Sequence, residues 1–144
     1  MTPALRRIAD YLASRRRREL IDPAEVEPSL LPHLFVLSIE PDRRLLVRLT
    51  GTALDRAFGR SVKGHYMEEF LHGHHSADVL QSFHDCAASH GACWMRQVVR
   101  IKERPPRFVE GVVFYIEPAL LYGGLMVGEV ADLHAPTTFE GREI

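Results

Sequence analysis

The stretch Val47 to Phe70, VRLTGTALDRAFGRSVKGHYMEEF, constrains this chain more than any other. Leu45, Val47 and Leu49 alternate with Leu46, Arg48 and Thr50, the period of a strand with one face buried. Gly51-Thr52 breaks the strand, and Ala53 to Phe58 places Leu54, Ala57 and Phe58 on one helical face. Gly59 stops that helix. After Gly64 a second short apolar helix follows, carrying Tyr66, Met67, Phe70 and Leu71. Helices shorter than about 12–15 residues are marginal by themselves, so both must lie against a sheet. A loose helical cover over a sheet leaves room for a pocket.

The rest of the chain supplies that sheet. Thr2 is placed to cap a first helix with Pro3 in its first turn, and Leu5, Ile8, Ala9 and Leu12 form one apolar face. The helix ends in Arg15-Arg16-Arg17-Arg18, cations that suit the negative end of the helix dipole; a polyanion-binding patch is the sharper alternative. Residues 21–32 read as a connector punctuated by Pro23, Pro28 and Pro32. HLFVLSIE, His33 to Glu40, is apolar enough for a central strand buried on both faces, and Pro41-Asp42-Arg43 turns it into the strand ending at Thr50. Ser76 opens a longer helix to about His90, with Val79, Leu80, Phe83, Cys86 and Ala87 as its stripe and Gly91 as its stop. Three strands follow, Cys93 to Lys102, Arg107 to Glu117 and Leu121 to Val130. The expected organisation is an N-terminal helix at 1–20, a connector at 21–32, one domain at 33–130 and a polar, frayed tail at 131–144. Strands in hairpin-joined runs imply an antiparallel α+β fold, with the helices on one face of a five-stranded sheet.

At 144 residues the chain suits one domain with one core. No apolar run approaches the ~18–20 residues of a membrane span, and the first residues lack a signal-peptide core, so a cytoplasmic setting is expected. Cys86 and Cys93 form neither a CxxC pair nor a disulfide framework and read as small buried hydrophobes. A net charge of −1 does not advertise a nucleic-acid partner.

Three blocks carry a resemblance. They are Pro28-x-x-Leu31-Pro32-His33-Leu34-Phe35-x-Leu37, then Arg48-Leu49-x-Gly51-Thr52, then Phe58-Gly59-x4-Gly64-x-Tyr66. A long helix ending at Gly91 and the run Gly124-Leu125-Met126-Val127-Gly128 complete them. In this order they resemble the PAS-domain superfamily, and more closely its short, free-standing bacterial members, from about Leu5 to Val130. The resemblance implies a five-stranded antiparallel sheet of order 2-1-5-4-3, with the short helices and the longer one enclosing a small-molecule pocket. It also implies a sensory or regulatory role rather than catalysis, and a homodimer helped by the N-terminal helix. With no output module in sight, signal would leave through contact with an unidentified protein partner. The residues placed by this analogy on a pocket for a small, largely apolar ligand are Leu37, Leu54, Phe58, Phe70, Phe83, Val99, Glu110, Phe114 and Val127. A filled core that only mediates protein association is the plainer alternative.

No cofactor is named by these residues. Flavin-adduct relatives need a cysteine on the short helix after the second strand, and Thr52 to Lys63 has none. Haem relatives use a histidine on or near the longer helix; His84 is there, but the apolar face is set by Val79, Leu80 and Phe83. His72-Gly73-His74-His75 offers imidazoles without the further ligands a metal site requires, so no metal is expected. Gly59-x4-Gly64 is followed by His65-Tyr66 rather than Lys and Ser or Thr, which rejects a phosphate-binding loop. There is no Gly-x-Ser-x-Gly elbow, and Glu68-Glu69 reads as a solvated helix face. Glu110 alternates with Phe108 and Val112, and three placements stay open: toward the pocket, paired with Arg96 or Arg100, or at a wet edge. The inward placement supports a second function class, a small cone-shaped α+β enzyme of isomerase or dehydratase type using that carboxylate. The helical insertion between strands two and three argues against it.

Overall fold

The computed structural model describes residues 1–15, 23–71, 75–100 and 105–144. Arg16-Arg17-Arg18 and His72-Gly73-His74 lie outside the described residues, so the basic run and the histidine cluster are not tested.

Helix α1 spans Pro3–Arg15, with the Leu5 amide donating to Thr2 Oγ1 at 3.3 Å, as the cap-and-proline signature requires. Strands β1 (Leu34–Ile39) and β2 (Leu45–Thr50) form the first hairpin. Its turn closes through Arg43 N–H to Glu40 O at 2.8 Å, and Asp42 accepts from the Arg44 amide at 3.0 Å. Helix α2 (Thr52–Phe58), a 3₁₀ turn (Met67–Glu69) and helix α3 (Ser76–Ala88) follow. Gly59 caps α2 at φ 71° and Gly64 turns at φ 82°, backbone conformations in which a side chain would be strained. Strands β3 (Ala92–Val99), β4 (Arg107–Ile116), β5 (Leu120–Glu129) and β6 (Thr138–Glu143) complete an antiparallel sheet of order β2-β1-β5-β4-β3-β6.

The fold is therefore α+β and PAS-like, with the expected order 2-1-5-4-3 extended by one strand. The correction is at the C-terminal end. Residues 131–144, expected as a frayed tail, contain β6, which pairs with β3 from Cys93↔Glu143 to Val98↔Thr138. TFEGRE carries one large apolar side chain, and main-chain pairing at a sheet edge leaves no hydrophobic period to read. The opposite edge is covered too. Val47 exchanges hydrogen bonds with the Gly64–His65 segment at 2.8 and 2.9 Å.

A second difference concerns where the helices sit. The segments α2, 3₁₀ turn and α3 cover one face, whereas α1 lies on the other. Leu5, Ile8 and Leu12 are all but sealed against Leu34, Val112, Phe114 and Tyr122, joined by Val26 and Leu30 from the connector. The apolar stripe of the first helix is thus taken up by the chain's own sheet. Strand β1 is buried on both sides, as its run of apolar residues suggests.

Candidate functional site

Along each inner strand, alternate residues divide between two layers. In β4, Val109, Gly111, Val113 and Tyr115 face α2 and α3, while Val112, Phe114 and Ile116 face α1. In β5, Leu121 and Leu125 go with the first set and Tyr122 with the second.

The α2/α3 layer is not filled. A cavity of about 710 Å³ lies between it and the sheet, within the size range of small-molecule sites. Its floor is Phe35, Met95, Val109, Gly111, Val113 and Leu125; Gly111 projects no side chain into it. Its roof is Leu54, Ala57 and Phe58 of α2, Met67, Phe70 and Leu71 around the 3₁₀ turn, and Val79 and Phe83 of α3. Phe58 and Phe70 meet at 5.4 Å between ring centres, so two short elements hold each other over the opening. The roof is tied to the sheet by Glu68, whose carboxylate accepts from the Leu45 amide at 2.7 Å. Glu68 is therefore a strut, not part of a solvated face; Glu69 is exposed and meets His65 at 3.2 Å.

Of the residues anticipated for a pocket, Leu54, Phe58, Phe70, Phe83 and Val99 lie on the cavity wall. Leu37 is fully buried in the same layer without reaching the wall, and Val127 packs against that layer from the side. Phe114 and Glu110 are on the opposite face, under α1. The reason is the strand period: taking Phe108, Glu110, Val112 and Phe114 as the inward set selected the other side of β4, and a one-residue choice of phase inverts every side chain. Sequence reasoning missed Met95, which shares the phase of Val99 along β3, and Val109, Val113 and Leu125, which carry that phase across β4 and β5.

Glu110 is 1% exposed. Its carboxylate accepts from the Thr2 amide at 3.0 Å and from the Trp94 indole N–H at 3.0 Å, with the Met1 amino group 3.8 Å away. Burial pushes the carboxyl up, but the Thr2 and Trp94 donors and the nearby ammonium outweigh it and hold Glu110 below the usual carboxylate value. Neither Arg96 nor Arg100 is its partner: Arg96 pairs with Glu140 at 2.9 Å, and Arg100 donates to the Leu133 and Ala135 carbonyls. The acid–base group on which an enzyme reading rested is thus an anchor for α1, on the sheet face away from the cavity. His84 is half-buried and off the cavity wall. Cys86 and Cys93 are buried free thiols; the neighbouring Cys86 thiol, together with burial, pushes the Cys93 thiol up and away from the reactive thiolate. No group of histidine, cysteine or carboxylate side chains suited to a metal occurs among the described residues.

Among the described residues no helix is long and apolar enough to cross a membrane. A family model described as PAS domain matches residues 2–109, well over half of the chain. Searches among curated proteins and among solved structures gave no match.

Proposed function

The chain belongs to the PAS-domain family, whose members are sensory and regulatory domains, and from that premise we propose that it binds a small, largely apolar molecule in the α2/α3 cavity and signals to a protein partner. The observation that carries this reading is the cavity itself: apolar, of ligand size, and roofed by elements too short to be stable without the sheet beneath them. A ligand that fills the space would press on Phe58 and Phe70, and through Glu68 on the β2 edge. That edge and the outer surface of the roof are where a partner would read the change. Self-association through α1 would have to use its polar side, where Arg6, Arg7 and Asp10 are exposed. The setting proposed is the cytoplasm, in which Cys86 and Cys93 stay reduced.

The test is a pair of mass spectra, native and denaturing, with an absorption spectrum of the same sample. A discrete extra mass lost on denaturation is expected. An apo protein that also binds no added apolar molecule would leave only a filled-core interaction module.

A further inference from the structure

The charged groups on the described wall of the cavity share one sign. Among the described wall residues there is no Asp or Glu; the charged ones are Arg100 and Arg107, accompanied by His75 and His134. They lie at one end. Arg107 opens β4 opposite Val99, Arg100 follows Val99, and His75 stacks on Phe139, whose register partner is Gln97. Phe35, Leu54, Met67, Val113 and Leu125 line the cavity without contributing any ionisable group.

Arg7, Arg44, Arg48 and Arg96 each meet a carboxylate within 4 Å, whereas among the described residues no ion pair joins Arg6, Arg107 or Arg142 to one; of these three, Arg107 is on the cavity wall. Arg107 is half-buried, and its guanidinium has no ion pair or hydrogen bond among the described residues. Its cross-strand partner Glu129 is exposed and forms no ion pair with it. His75 also lines the cavity, but its ring is engaged elsewhere: Nδ1 lies 3.3 Å from Asp78 Oδ2, and Nε2 is shut off from the cavity space as well as from solvent.

We propose that the ligand is an apolar body carrying a single carboxylate, with Arg107 as the group that receives the carboxylate. This rests on the cavity being a ligand site. A guanidinium fork matches a carboxylate with two parallel hydrogen bonds, and such charge-assisted bonds are about twice as strong as neutral ones. Arg100, its Nη2 already directed at the Leu133 and Ala135 carbonyls, adds positive charge at the same end.

The experiment is calorimetric titration of the full chain with decanoate, 1-decanol and decylamine, all below their aggregation limits. Decanoate should bind about tenfold or more tighter than decanol, with decylamine weakest. Arg107→Met should remove most of that acid–alcohol difference while leaving decanol within about threefold, and Arg107→Lys should keep part of it. Ala57→Trp, which fills the roof from α2, should weaken the acid and the alcohol together. Equal affinity for acid and alcohol, or a preference that survives Arg107→Met, would overturn the carboxylate assignment and leave the cavity reading standing. Binding of none of the probes would overturn both. Unchanged binding to Ala57→Trp would put the probes on the surface and overturn the proposal as well.

Discussion

The two faces of the sheet use similar residues to opposite ends. Under α1, Leu5, Ile8, Leu12, Val112, Phe114 and Tyr122 close into a layer in which even the one carboxylate, Glu110, is sealed and bonded. Under α2 and α3, residues just as apolar stop short of each other and leave about 710 Å³. The difference lies in the covering elements. A helix of 13 residues presents three turns of one stripe and fits the sheet along its length. On the other face α3, also of 13 residues, covers only part of the sheet; a helix of 7 residues and a 3₁₀ turn of 3, separated by Gly59 and Gly64, span the rest in pieces that do not close every gap. One face supplies stability and the other supplies space.

That contrast can be broken from either side. Phe114→Ala should cost about 3–5 kcal/mol, since it empties a packed site that cannot collapse, whereas Phe58→Ala at the cavity roof should cost well under half as much; urea unfolding of both reads the ratio. Near-equal losses would mean the two layers are packed alike. Glu110→Gln should lower stability by about 1–3 kcal/mol at neutral pH by weakening charge-assisted bonds to Thr2 and Trp94. The pH dependence has a definite sign. Glu110 is held below its unfolded value of about 4.3, so its contribution is complete above that pH and fades as pH falls through the folded value. Unfolding midpoints between neutral and acid pH should therefore slope less in the Gln variant than in the parent. Phe139→Ala, which removes the apolar side chain by which β6 touches the α3 side, should cost about 1 kcal/mol. The smallest expected change in stability is that of Val109→Phe, within about 1 kcal/mol because it grows into empty space, yet it should abolish any retained ligand mass. Retention of that mass would place the ligand elsewhere.

Much of this fold was legible. The strand–glycine–helix–glycine stretch, the capped first helix and the hairpin at Pro41-Asp42-Arg43 are local signals, and local signals survive tertiary packing. What was not legible is phase. β4 is apolar at nearly every position, so alternation could not say whether Phe114 or Val113 turns toward α2 and α3, and the guess inverted the strand. Pocket candidates on the helices, Leu54, Phe58, Phe70 and Phe83, reached the wall because an amphipathic helix has a single apolar side. β6 escaped notice because its partner is main chain, and the cationic end of the cavity because Arg100 and Arg107 come from segments that adjoin only once the sheet forms.

The bond between the Thr2 amide and Glu110 joins positions 108 residues apart. Helix α1, made before the strands it packs on, is thus among the last parts to find its place. Its stripe of Leu5, Ile8 and Leu12 packs on β4 and β5, which end at Ile116 and Glu129. At roughly 5–20 residues per second, those apolar side chains wait on the order of 10 s for the strands that will cover them. During that interval a chaperone, or a neighbouring nascent chain, competes for the same stripe.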